Sequence, residues 1–252
     1  MYKDNNKEKV ENLSKNKIKW IRSFQLKKNR DDSKVFIVEG EKMIQELIEN
    51  FPDSIDFLCV TNESEHYKNN KTLVNAIATP EELKSISSMK NPNKSLAIVK
   101  KLDLKSSQSS FKLVLDNIQD PGNMGTILRL ADWFNVKEII CSKETVDIYN
   151  PKVVQASMGA IFRITVTYCD LENYLTNFSG PIFGALLEGQ NIYKQKLIPE
   201  GLLILGNEGN GISEKIKSFI TNPITIPRFG KAESLNVSIA TGILLSDFFR
   251  NS

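Results

Sequence analysis

The sequence predicts two α/β domains in tandem, the second built on a largely parallel sheet covered on both faces. Three observations carry that expectation. Beyond residue 110, short apolar runs at 113–116, 138–141, 163–166, 181–187, 202–205 and 224–226 alternate with helical stretches, the pattern of strands joined by crossover helices. The first hundred residues mix strands and helices on a smaller scale. Between the two, DLKSSQSS at 103–110 is polar, serine-rich and without hydrophobic periodicity, so the boundary is placed there, giving domains 1–105 and 106–252.

Taken in order, Leu13, Lys17, Trp20 and Phe24 recur at intervals of 4, 3 and 4 residues, which predicts an amphipathic helix with its apolar stripe inward and its lysines in water. VFIVEGEKMIQELI at 35–48 reads as a strand, a turn at Gly40 and a helix. FLCV at 57–60 and SLAIV at 95–99 read as further buried strands, with PEELKSISS helical between them.

Composition narrows the chemistry. With 252 residues, 40% hydrophobic and 25% charged, the chain can bury a core. No apolar run approaches the roughly 20 residues of a membrane-spanning helix, and the N-terminus is polar, so a cytoplasmic protein is expected. Cys59, Cys141 and Cys169 are widely spaced with no C-x-x-C pair, which suggests neither a disulfide framework nor a thiolate metal site. His66 is the one histidine, in the polar stretch NESEHYKNNK, so chemistry needing several imidazoles is excluded. The net charge of +3 is unevenly placed: residues 1–30 are net +7 and the other 222 are net −4. Such a basic segment suits RNA phosphates and equally suits a solvated helix face.

Three segments can carry chemistry. NIQDPGNMGTILRLA at 117–131 follows a strand; Asp120, Pro121 and Gly122 form a turn, Asn123 is a plausible N-cap, and Arg129 rides on a helix of about 124–134. Ligands bind at such carboxyl ends of strands in open α/β sheets, yet spacing alone equally fits a plain strand-turn-helix with a surface arginine. LLILGNEGNGIS at 202–213 places three glycines around Glu208, but their order is G-x-x-G-x-G and no phosphate-loop Lys-Ser/Thr follows. IPRFGKAESLNVSIA at 226–240 enters a final helix that Ser234 can cap, with Asn236 in its first turn.

Together these blocks, with PKVVQASMGAIFRI at 151–164, resemble the ordered signature motifs of the SpoU/TrmH RNA ribose methyltransferases over about residues 111–249. VFIVEGEKMIQELI is similar to the start of the ribosomal-protein-like substrate domain that many members carry. Two departures stand out: Asn135 where glycine often follows the first motif helix, and Arg228 where methionine is common.

The resemblance implies a parallel α/β fold with a deep trefoil knot, which periodicity does not show; unaided, the pattern predicts a Rossmann-like sheet. It implies S-adenosylmethionine as cofactor, held near Leu187, Leu205, Gly206, Gly211, Ile226, Ser234 and Leu235. Asn117, Arg129, Glu208, Ser234 and Asn236 match the catalytic positions, with Arg129 as a donor to the ribose oxygen and a phosphate, since a guanidinium resists deprotonation. No metal is expected. Ribosomal RNA is favoured over transfer RNA because of the additional N-terminal domain, and a homodimer is implied, for which Ile243, Phe248 and Phe249 on the last helix serve either as interface or as internal core. A nicotinamide-dependent dehydrogenase lacks its glycine fingerprint and paired acid here, and a catalytically inactive relative is disfavoured by the full set of motif residues.

Overall fold

The computed structural model describes residues 11–104 and 109–250. The first ten residues of the basic segment, and 105–108 of the expected linker, lie outside the described residues. The chain divides into two compact units: one runs up to Asp103 and includes Tyr149–Gln155, the other comprises Leu104–Ile148 and the chain from Ala156 onward.

In the first unit, β1 (Glu11–Asn12) leads into α1 (Lys15–Ser23), capped by the Ser14 hydroxyl, which accepts from the Lys17 amide. After α2 (Lys27–Ser33) come β2 (Val35–Glu39) and α3 (Glu41–Asn50), joined through Gly40 at φ +103°. Then follow β3 (Ile55–Val60), α4 (Glu65–Asn69), β4 (Ala76–Ile77), α5 (Pro80–Ile86) and β5 (Ser95–Lys100). Helix α5 begins with a reciprocal capping box between Thr79 and Glu82 behind Pro80. The sheet order is β1-β4-β3-β5-β2, antiparallel where β5 pairs with β2 and β3 and parallel at β4.

Ile21 and Phe24 of the α1 segment bury against Val35, Ile37, Phe57, Cys59, Leu96 and Ile98, with Trp20 packed at the margin. The predicted stripe is thereby corrected at its start, since Leu13 is buried but precedes the N-cap. His66, although in a polar stretch of sequence, is buried: its Nε2 lies 3.0 Å from the Glu41 carbonyl oxygen and ties α4 to α3.

From residue 111 onward come β6 (Phe111–Asp116), α6 (Pro121–Trp133), β7 (Glu138–Ser142), α7 (Pro151–Ser157), β8 (Thr165–Cys169), α8 (Leu171–Thr176), β9 (Ile182–Asn191), β10 (Gly201–Gly206), α9 (Glu214–Lys217), β11 (Asn222–Thr225) and α10 (Val237–Phe249), all in the second unit except α7, most of which lies in the first. The sheet is parallel throughout, in the order β11-β9-β10-β6-β7-β8. From β6 the chain steps outward to β7 and β8, then crosses to the other side and returns with β10 beside β6. The strand order therefore reverses between β6 and β10, and the carboxyl ends there are where an open α/β sheet binds its ligand.

Two helix starts differ from expectation. Helix α6 is capped by Asp120, whose Oδ1 accepts from the Asn123 amide at 2.8 Å, so Asn123 is not the cap but lies inside the first turn behind Pro121. Helix α10 is capped by Asn236, whose Oδ1 accepts from the amides of Ser238 and Ile239, and Ser234 lies upstream of the helix. A cap must sit where the backbone leaves the extended region, and either polar residue in ESLNVS could have filled that place. The end of α6 closes as a Schellman motif, with Asn135 left-handed at φ +58° and the amides of Asn135 and Val136 bonded to Asp132 and Ala131 at 3.1 and 2.8 Å.

Gly125 lets α6 approach Ala156 so closely that a Cβ there would fall 2.3 Å from the alanine Cβ. Helix α10 packs on α6 and β10, and Phe248 buries between Phe111 and Phe183 at centroid distances of 4.8 and 5.0 Å, while Phe249 meets Phe111 and Phe134. The aromatic end of the last helix is thus internal core. Phe248→Ala should lower the stability of the second unit by about 3–5 kcal/mol, read as a shift in its denaturant midpoint; a shift below about 1 kcal/mol would mean that the cluster is not a packed core.

Candidate functional site

At the reversal point the last residues of two parallel strands are register partners, Asp116 of β6 with Gly206 of β10. Asp116 is buried and its Oδ2 accepts from the Ser213 amide at 2.8 Å, which fastens the glycine loop to the end of β6. That loop is tight: Asn207 and Gly211 exchange backbone bonds of 3.0 and 2.9 Å, and Asn207 Oδ1 accepts from the amides of Gly209 and Asn210. A Cβ on Gly206 would fall 2.2 Å from the backbone of Gly211 and Ile212, so no larger residue fits without opening the loop. Asn117 turns the chain out of β6 at φ +59°, a left-handed conformation asparagine tolerates, held by its amide donating to Ser142 Oγ and its carbonyl accepting from Asn207 Nδ2.

One side chain joins all three motif segments. The Asn123 carboxamide donates from Nδ2 to Glu208 Oε1 at 2.8 Å and accepts at Oδ1 from Asn236 Nδ2 at 2.9 Å. Asn236 Oδ1 in turn accepts from the Ser238 hydroxyl at 2.6 Å. Glu208 is exposed, so its carboxylate is fixed at one oxygen by Asn123 and open to solvent beyond it. Sequence reasoning missed Asn123 as a site residue because it gave that position to the helix cap; the clue lay in Asp120, a better cap already present upstream, with Pro121 ready for the first helical position.

The remaining expected residues lie on several elements and loops of the second unit. Leu205 is buried as the last apolar residue of β10, and Gly206 and Gly211 frame the loop. Leu187 is 76% exposed, in the stretch 185–189 of β9 that has no partner in the β11 ladder, because the register jumps from Gly184 opposite Pro223 to Gln190 opposite Ile224. Ile226 is half-buried and Leu235 half-exposed at either end of the segment that leads into α10. Ser234 is exposed upstream of Asn236. Arg129 is also exposed, on α6, and has no hydrogen bond or ion pair among the described residues; it does not join the Glu208–Asn123–Asn236 chain. The segment is braced by Arg228, which donates to the Ala232 carbonyl oxygen at 3.2 Å.

Other chemistries have little support. Burial pushes the Cys59 thiol up to about 12 and raises those of Cys141 and Cys169, the opposite of what a thiolate nucleophile needs. Among the described residues no group of three His, Cys, Asp or Glu side chains is placed to hold a metal ion, and no helix is long and apolar enough to cross a membrane.

Asn123→Ala strips one bond each from Glu208 and Asn236, so it should cost about 1–3 kcal/mol and loosen both loops, read as a lowered unfolding midpoint and weaker cofactor binding. Unchanged values of both would show that the bridge does not hold the loops together.

Comparisons with known proteins agree with this arrangement. The SpoU rRNA Methylase family matches residues 110–246, and an MRM3-like substrate binding domain matches 15–97. The 23S rRNA guanosine-2′-O-methyltransferase RlmP of Bacillus subtilis is 26% identical over 94% of this chain and 97% of its own length. A TrmH-family protein from Porphyromonas gingivalis has a TM-score of 0.83 at 36% identity, covering 95% of this chain and 99% of its own. An AdoMet-bound rRNA methyltransferase from Sinorhizobium meliloti has a TM-score of 0.82 at 25% identity over 95% of this chain and 97% of its own. With more than half of its length matched in order, and with the motif segments of that match joined through one buried carboxamide, this chain belongs to the SpoU rRNA methylase family.

Proposed function

We propose that this protein methylates a ribose 2′-hydroxyl in ribosomal RNA with S-adenosylmethionine as donor. The observation that carries the reading is the Glu208–Asn123–Asn236 chain at the paired ends of β6 and β10, beside a glycine loop that has no room for a side chain at Gly206. Support comes from the activity of the Bacillus subtilis relative and from the cofactor of the Sinorhizobium structure.

The residues present fit the cofactor. Gly206 lets the loop close tightly on its own backbone, Gly211 shapes the turn at φ +69°, and Leu187, Leu205, Ile226, Ser234 and Leu235 are the apolar groups and one hydroxyl that would hold the cofactor. When bound, S-adenosylmethionine supplies an electrophilic methyl group. The chain supplies orientation: Asn123 fixes one oxygen of Glu208 and leaves the other to a ribose hydroxyl, while Asn236 and Asn117 hold the flanking loops. Arg129, exposed and without a protein carboxylate among the described residues, offers its fork of donors to the RNA ribose oxygen and phosphate. A phosphate oxygen held there can take the proton that the hydroxyl loses.

The same reading extends to organisation. We assign substrate RNA to residues 1–105 and methyl transfer to 106–252, with the family's trefoil knot in the second, a homodimer as the working unit and the cytoplasm as its place. Trp133 on α6 and Ile239 on α10, 84% and 57% exposed on two helices that pack together, are apolar surface that a second copy would cover.

The reading is tested with purified protein, labelled S-adenosylmethionine and ribosomal RNA, scoring 2′-O-methyl nucleotides by nuclease digestion and mass spectrometry. Methyl transfer to ribose is expected; binding of NAD with no affinity for S-adenosylmethionine would sink it. Arg129→Ala and Arg129→Lys should each slow turnover on the order of a hundredfold or more while cofactor affinity in calorimetry stays within about twofold, because position outweighs charge at that site. A lysine variant with normal turnover would refute the role given to the guanidinium.

A further inference from the structure

Away from the methyl-transfer site, the first unit has a cavity of about 330 Å³ beside the start of α1. Its wall is formed by the rings of Trp20 and Phe57, set edge to face at 5.6 Å. Three carboxamides open onto it, from Asn12, Asn16 and Asn75. Asn75 is fixed, because its Oδ1 accepts from the Leu58 amide at 2.7 Å, which leaves its Nδ2 as a donor. The Lys17 ammonium rests over both rings, 4.0 Å from the Trp20 centroid and 4.5 Å from that of Phe57, and has no carboxylate partner among the described residues. A cation held on aromatic faces, without a counter-ion there and next to amide donors and acceptors, is an unusual lining for a merely structural cleft.

These groups match the parts of a nucleotide. An unpaired base stacks on an aromatic face, carboxamides bond its Watson–Crick edge, and an ammonium takes the adjoining phosphate. A duplex offers the phosphate but keeps its bases stacked away. We propose that this cavity binds one unpaired nucleotide of the RNA substrate, with the base against Trp20, its edge on Asn12, Asn16 and Asn75, and its phosphate on Lys17. The proposal rests on the reading of the protein as an RNA methyltransferase and adds the place where the first unit grips a single-stranded segment. In that exchange Lys17 leaves the indole for the phosphate, so the surroundings of Trp20 change on binding.

The chain has two tryptophans, so Trp133→Phe leaves Trp20 as the sole indole reporter in the full-length protein. Titration with a mixed-sequence single-stranded RNA decamer should quench Trp20 emission saturably, and the same sequence as a duplex should not. Lys17→Met keeps the aliphatic stem over the rings and removes the charge; with Asn16→Ala it should weaken decamer binding about tenfold and lower the salt slope by about one. Both residues are at least partly solvent-facing, and circular dichroism of each variant checks that the fold is kept. RNA binding with unaltered Trp20 emission, equal quenching by the duplex, or an unchanged decamer affinity in the double variant each overturns the nucleotide site. If those results accompany normal ribose methylation, the methyltransferase reading stands without it; absence of methyl transfer to any RNA removes the reading itself.

Discussion

The carboxamide of Asn123 donates to Glu208 and accepts from Asn236, residues 85 and 113 positions further along the chain. Those two bonds make one surface out of three loops that arrive from different strands and helices. An amide is suited to the task because it presents a donor and an acceptor in one rigid plane, so a single residue satisfies partners of opposite kind. Asn123 is itself held in place, since Asp120 caps its amide and Pro121 fixes the turn before it. The buried position raises the stakes, because a partner left without its bond would be left largely without water as well.

The rest of the site depends on how near the loops can come. Gly206 lies against the backbone of Gly211 and Ile212 with no space for a Cβ of its own, and Gly125 brings α6 against Ala156 in the same way. Close packing of backbone around the paired ends of β6 and β10 gives the second unit a rigid frame, and the exposed groups, Arg129, Ser234 and the free side of Glu208, stand on that frame facing outward. Catalysis by positioning needs this division, with a fixed scaffold beneath and unpaired polar groups above.

The first unit uses different physics for its part. Its core is an ordinary apolar one, in which Ile21 and Phe24 cover one face of a mixed sheet, and polar groups are spent on caps and on the His66 contact. Trp20 lies at the edge of that core rather than inside it, which is why one aromatic residue can both pack on Phe24 and present a face to Lys17. The helical spacing of Leu13, Lys17, Trp20 and Phe24 thus described a boundary between core and cavity more than a uniform apolar stripe.

By itself the sequence determined what local rules control, the alternation of strands and helices and the Gly40 turn, while the motif blocks around Asn117, Glu208 and Asn236 were legible through the family resemblance. The alternation and the turn depend on period and turn chemistry within a few residues, so they can be read from neighbours in the chain. Its local choices failed where two nearby residues could each do one task, as with Asp120 against Asn123 and Asn236 against Ser234. Only the tertiary structure decided that the strand order reverses between β6 and β10, that Asn123 bridges Glu208 and Asn236, that Phe248 is core, and that Arg129 is exposed without joining the bridge. The reason is that a hydrogen bond spanning about a hundred residues leaves no periodic trace: its partners become neighbours when β10 inserts beside β6, and nothing in either segment alone encodes that distance.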